Sequence, residues 1–81
     1  MGRYFFDLRD GTQERDEAGT EFPDAHAAQR EAIRYAGEVL RHEPDKLAHG
    51  AMQVEVRDEA GRHLFSIEIR SKPTVGGDPP G

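Results

Sequence analysis

The sequence predicts an α+β fold of two layers, in which one amphipathic helix covers one face of a mainly antiparallel sheet of three to four strands. Three observations predict it: period-two alternation of apolar residues near both ends of the chain, a helical apolar stripe in the middle, and turn residues between these segments. The expected order is β-β-α-β-β. With 81 residues the chain is one domain, which we expect to span residues 1–70 and to be followed by a disordered tail, 71–81.

The first hairpin begins with apolar residues at alternate positions. Tyr4, Phe6 and Leu8 have the period of a strand with one buried face. Asp10-Gly11 follows, and this pair readily adopts the positive φ angles of a tight turn. The next ten residues, 12–21, are polar, so they predict a weak edge strand or an irregular return whose charges discourage further pairing.

The helix has a clear start and a clear end. Asp24 follows Pro23 and is a good N-cap, since its carboxylate accepts first-turn amides. Proline at position 44 cannot continue a helix, so the helix is predicted from Ala25 to about His42. At 100° per residue its apolar face is mostly alanine, which allows close approach to a sheet. That face consists of Ala25, Ala28, Ala32, Ala36, Val39 and Leu40.

The second hairpin is the most regular local pattern. Two runs of alternating apolar residues, 52–56 and 65–69, flank a turn at 58–61 that ends in Gly61. From Ser71 onward, glycine and proline replace the apolar residues, and such a segment cannot offset its ordering entropy by burial. The two strands of the second hairpin are each expected to place one apolar face against the helix. The order of the strands in the sheet stays open.

The opposite face of the sheet follows by parity and is mostly charged, as a solvent-facing surface would be. Phe5 and Leu64 are the apolar exceptions, and on neighbouring strands they would form a patch with a polar rim. The predicted interaction face is Phe5, Leu64, Arg57 and Arg70. This favours a small non-enzymatic protein-interaction module, acting through that face or through a strand edge, with a protein partner or as a homodimer.

Composition excludes several classes of function. The formal net charge is −5, which argues against binding nucleic acid through a basic surface. There is no cysteine, and no apolar run approaches the length of a membrane span. No signal-peptide pattern is present, so a cytoplasmic location is expected. No nucleophile motif or phosphate loop is found, so we expect neither an enzyme nor a bound cofactor.

Two alternatives remain open. Carboxylates crowd the first hairpin and could supply oxygen ligands to a divalent metal, in a small ligand- or metal-binding domain. They are Asp7, Asp10, Asp16 and Glu17. Their spacing does not match a known calcium loop, and the four histidines are spread along the chain. The second alternative, an antitoxin-like regulatory domain that binds a basic partner, depends on the acidic charge and small size alone.

Several segments together resemble one family. They are the opening Arg3-Tyr4-Phe5-Phe6-Asp7 with Asp10-Gly11, then Phe22-Pro23-Asp24 before an alanine-rich helix, and the stretch 54–61 with its Asp-Glu-Ala-Gly turn. The family comprises short alphaproteobacterial proteins catalogued as a domain of unknown function, and the likeness spans residues 3–70. Gly2 and Gln29 depart from its pattern. The resemblance implies a stand-alone domain and brings no activity or site residue.

Overall fold

The fold was taken from a computed structural model that describes residues 1–73, and it confirms the predicted α+β class. The elements are β1 (Gly2–Arg9), β2 (Gln13–Glu14), β3 (Thr20–Phe22), α1 (Ala25–His42), a 3₁₀ helix (Pro44–Leu47), β4 (Ala51–Arg57) and β5 (His63–Arg70). Of the predicted tail, residues 74–81 lie outside the described residues. Neither of the described helices is both long and apolar enough to cross a membrane.

The strands form one antiparallel sheet in the order β2-β1-β4-β5, and β3 pairs with the other end of β1. The two long strands at the centre of the sheet are β1, from the first hairpin, and β4, from the second. They pair from Phe5↔Arg57 to Arg9↔Gln53. Beyond them β5 pairs with β4 along its whole length, with a bulge between Val56 and Arg57. One edge of the sheet is therefore β5, and the other is shared by β2 and β3.

The polar return after the first turn forms two short strands, so the sheet has five strands where three or four were predicted. Leu8 pairs with Glu14 and Tyr4 pairs with Thr20. Between these two pairs, β1 advances by four residues, whereas the opposite chain segment advances by six. The two extra residues do not fit the ladder, and the segment 15–19 leaves the plane of the sheet between β2 and β3.

Helix α1 begins as predicted, and its predicted apolar face packs on the sheet except for Ala25, which is exposed at the start of the helix. The Asp24 side chain accepts a hydrogen bond from the Ala27 amide at 2.8 Å, which satisfies one of the unpaired first-turn donors. The small alanine side chains bring the helix close to the sheet, so that apolar residues of β1 and β4 are buried beneath it. The core comprises Leu8, Ala28, Ala32, Ala36, Val39, Met52, Val54 and Val56.

Gly37 lies on the exposed side of α1 and is not required there. A Cβ atom at this position would meet nothing within 4 Å. Alanine loses less backbone entropy on folding than glycine, so Gly37→Ala should raise the free energy of unfolding by about 0.5–1 kcal/mol. Urea unfolding of the variant beside the wild type checks this; an unchanged or lower stability would contradict the described environment of Gly37.

Candidate functional site

The sheet face opposite α1 is partly covered: two of its charged residues are buried, while Arg9, Glu68 and Arg70 are exposed as expected. Asp7 is 2% exposed and Arg57 is 7% exposed. The segment 15–19 helps to cover them: it leaves the ladder at the β1 edge of the sheet, and Asp16 bonds to both side chains. Parity along the strands had correctly placed both residues on this face, but it could not show that a distant segment would cover them.

A paired carboxylate and guanidinium hold this cover in place. Arg57 Nε donates to Asp7 Oδ2 at 2.7 Å, and its Nη2 donates to Asp7 Oδ1 at 3.3 Å. The same Nη2 donates to the main-chain carbonyl of Asp16 at 2.6 Å, while the Asp16 amide donates to Asp7 Oδ1 at 2.9 Å. The pair is thus bidentate and directly bonded to the covering segment.

The Asp16 side chain replaces the hydrogen bonds that β1 loses where the return leaves the sheet. Its Oδ2 accepts from the Phe6 amide at 3.2 Å. Its Oδ1 accepts from the amides of Ala18 and Gly19 at 3.0 and 3.1 Å. Both carboxylate oxygens are therefore committed to the backbone, and Asp16 is a structural residue of this edge.

The predicted interaction face is divided between two environments. Phe5 is half-buried, since the Arg57 guanidinium lies 4.6 Å from its ring centroid and Gly19 packs against it. Arg57 belongs to the buried pair. Leu64, 38% exposed, and Arg70, whose Nη2 donates to Glu68 at 2.8 Å, lie on β5. Because Arg57 of β4 lies between Phe5 and β5, the apolar pair does not form one patch.

The buried pair couples stability to pH. Burial alone would raise the pKa of Asp7, but the hydrogen bonds from Arg57 and from the Asp16 amide outweigh it, so its pKa lies below the ordinary value of 3.8. The unfolded chain then takes up the proton first as pH falls. The stability that Asp7 contributes is complete above its unfolded pKa and is lost as pH falls through the folded pKa.

We therefore expect the free energy of unfolding to decrease on acidification from about pH 5 downward. Asp7→Asn should be less stable than the wild type at neutral pH and should show a shallower loss on acidification. Urea unfolding of both proteins at several pH values measures the two slopes. Equal slopes would mean that Asp7 ionisation is not coupled to folding.

The acidic residues of the first hairpin do not gather into one site. The Asp10 and Glu14 carboxylates both contact Lys46 Nζ, at 3.2 and 2.9 Å, and these hydrogen bonds raise the pKa of Lys46. The Asp7 carboxylate bonds to Arg57, and the Asp16 carboxylate bonds to main-chain amides. Among residues 1–73, no group of three or more histidine, aspartate or glutamate side chains is placed to hold a metal ion.

An open groove of about 640 Å³ runs between α1 and the β2–β3 return. Its floor is aromatic, with Phe6 and Phe22 in edge contact and Tyr35 beside them. Burial, followed by nearby carboxylates, raises the pKa of the Tyr35 hydroxyl. On the rim, Arg34 makes a double hydrogen bond to Glu31, at 3.1 and 2.9 Å, so these two charges neutralise each other. Glu14, Arg15 and Asp16 also line the groove, so its rim carries both signs of charge.

The outer edge of β5 offers main-chain groups for further pairing. The Ser71 amide donates to the Gly50 carbonyl at 2.8 Å, so the Ser71 N–H is directed to the β4 side. Since this direction alternates along an antiparallel strand, the N–H and C=O groups of Arg70, Glu68 and Ser66 are directed away from β4. Among the described residues no strand pairs with them.

The two edges of the sheet differ in how they limit pairing. At the β2–β3 edge the strands are two and three residues long, and they are separated by the segment 15–19 with its charged residues. Short, interrupted and charged edges resist strand addition. In contrast, β5 is eight residues long and has no proline. The sequence predicts interaction through a strand edge but does not identify β5 as that edge, because no local pattern determines the order of strands in the sheet.

These features define a class: a small two-layer α+β domain with one irregular, charged sheet edge and one open edge. The chain belongs to the family of a domain of unknown function (DUF6894), whose family model matches residues 3–70. This confirms the resemblance predicted from the sequence, while the alphaproteobacterial origin stays a prediction. Searches of the curated proteins and of the solved structures found no match.

Proposed function

We propose that this domain is a non-enzymatic protein-interaction module that associates with a second copy of itself through the open edge of β5. The observation that carries the proposal is the edge strand His63–Arg70, whose outer main-chain donors and acceptors bond to no other strand within residues 1–73. Strand addition to such an edge supplies affinity through main-chain hydrogen bonds. The expected cytoplasmic location stays a prediction from the sequence.

Charge supports a second copy as the occupant of this edge. Each chain carries a net charge of −5, so two copies repel each other over most of their surfaces. On β5, however, Glu68 and Arg70 form an ion pair at 2.8 Å and cancel. Residues 64–70 of β5 carry one charge of each sign, so this strand brings no net charge to the place where two copies would meet.

Ser66→Pro tests the proposal. Proline removes the Ser66 amide, which is directed to the edge and bonds to no strand within the described residues, so the monomer fold should tolerate it. We expect the wild type to dimerise with increasing concentration in equilibrium sedimentation. Ser66→Pro should stay monomeric with an unchanged circular dichroism spectrum.

Ser66→Ala is the matched control, because it removes the hydroxyl and keeps the amide. It should dimerise like the wild type. A wild type that is monomeric at every concentration would rule out the proposal, and so would a folded Ser66→Pro that associates as strongly as Ser66→Ala.

A further inference from the structure

The open edge can meet a second copy in two ways, which lead to different assemblies. If β5 pairs with the β2–β3 edge of the next chain, each chain keeps a free edge and the association continues into a filament. If β5 pairs with β5, both open edges are consumed and a closed dimer results. The β2–β3 edge offers only short, interrupted strands, with Asp16 already bonded to the Phe6 amide.

We infer that two copies pair β5 with β5, antiparallel, around a two-fold axis at Ile67, and so form a closed dimer with one continuous sheet. This inference rests on the proposed function and names the surface that the partner contributes. In the resulting dimer the order of strands is β2-β1-β4-β5-β5-β4-β1-β2, with both helices on the same face.

The side chains of β5 favour this register. With the axis at Ile67, Phe65 of one chain lies opposite Ile69 of the other on the helix side, and the two Ile67 side chains meet. These three residues are half-buried within one chain and pack only partly on its core. On the other face the Ser66 side chain lies opposite Glu68. The main-chain N–H and C=O groups of these two residues are directed outward, so in this register they bond to each other.

The neighbouring registers are less favourable. An axis at Glu68 places two carboxylates directly opposite each other, which is destabilising. An axis at Ser66 brings the bulged His63 end opposite Ile69. An axis at Ile69 places Glu68 opposite Arg70, but it sets Ile67 against Ser71 and leaves Phe65 without a partner. The Ile67 register alone pairs every apolar residue of the helix side with another.

An exposed apolar side chain of α1 extends this surface. Three large hydrophobic residues are exposed among those described: Met1, Ile33 at 55% and Leu64 at 38%. Leu64 lies on the other face of β5, where the Ile67 axis places it opposite Arg70. Tyr35 lines the groove on the β1–β3 side of α1, so Ile33, on the opposite flank of the helical wheel, is on the β5 side. In the dimer, Ile33 would lie over the paired strands and lose exposure.

Single cysteines can report the register, because the chain contains no cysteine of its own. At a two-fold axis between residues that do not exchange hydrogen bonds, the two Cα atoms lie about 4.5 Å apart, within the range of a disulfide. We therefore expect Ile67→Cys to form a covalent dimer under mild oxidation. Ser66→Cys and Glu68→Cys should each stay uncrosslinked alone and should form the mixed disulfide when combined.

The outcomes separate this inference from the proposed function. If Glu68→Cys or Ser66→Cys crosslinks alone as efficiently as Ile67→Cys, the register is wrong although β5 still pairs. If species larger than a dimer grow with concentration, the closed dimer is wrong. If the wild type is a monomer throughout, the proposed function itself fails. Crosslinking of Ile67→Cys in a protein that sediments as a dimer supports both.

Discussion

Replacing Arg57 by methionine is expected to lower the free energy of unfolding by about 3–5 kcal/mol, the cost of leaving a buried charge without its partner. Asp7, 2% exposed in the intact protein, would lose both hydrogen bonds from the guanidinium. The main-chain carbonyl of Asp16 would also lose its donor at 2.6 Å. A small domain has a total stability of about 5–15 kcal/mol, so this loss is a large part of it.

Arg62→Met is the matched control. Arg62 also makes an ion pair with an aspartate, Asp58, at 2.9 Å, but its side chain is 77% exposed. Exposed ion pairs contribute little to stability, so the control should differ little from the wild type. Urea unfolding of both variants gives the comparison. Similar losses for Arg57→Met and Arg62→Met would contradict the burial of the Asp7–Arg57 pair.

The second large effect is expected at Gly19, where the covering segment meets β1. Its φ of +71° is unfavourable for any residue with a Cβ atom. A Cβ placed there would also lie 2.8 Å from Arg3 Cγ and 2.8 Å from Phe5 Cε2. The arginine stem can move aside, but the Phe5 ring is held beneath Arg57. Gly19→Ala should therefore combine backbone strain with displacement of the segment.

Gly61→Ala separates these two contributions. Gly61 has a φ of +83°, and a Cβ atom there would meet nothing within 4 Å. Backbone strain alone should cost Gly61→Ala about 1–2 kcal/mol. The steric overlap should make Gly19→Ala less stable by about 1–3 kcal/mol more, as measured by urea unfolding. If the two variants lose the same stability, the segment does not pack on Phe5 as described.

Local patterns were enough to predict the elements on which the core depends. The alternation in the second hairpin, the Asp24 cap and the alanine stripe each reflect neighbours within a few residues. Each prediction is confirmed, apart from Ala25 of the stripe, which is exposed. The burial of Asp7 and Arg57 depends on contacts across 9 to 50 residues of sequence, which no periodicity records. Opposite charges on one face of two strands, Asp7 and Arg57, followed by an irregular acidic return, are the signal that could have indicated it.

The predicted interaction residues show the same limit. Alternation along each strand assigns Phe5, Arg57, Leu64 and Arg70 to one face of the sheet. It does not show what covers that face. Which part of that face is covered depends on the path of the return, and which strand forms an edge depends on sheet order. Neither property is local, so the surface that we propose includes Leu64 and Arg70 of β5 and leaves out the buried Arg57.

Amide hydrogen exchange along β5, measured as a function of protein concentration, tests the central claim most directly. The amides of Ile67 and Ile69 face β4 and should be protected at every concentration, which provides an internal reference. Those of Ser66, Glu68 and Arg70 should be protected at high concentration and become exchangeable on dilution. Fast exchange of these three amides at all concentrations would contradict strand pairing at this edge, and so would protection in the monomer that dilution leaves unchanged.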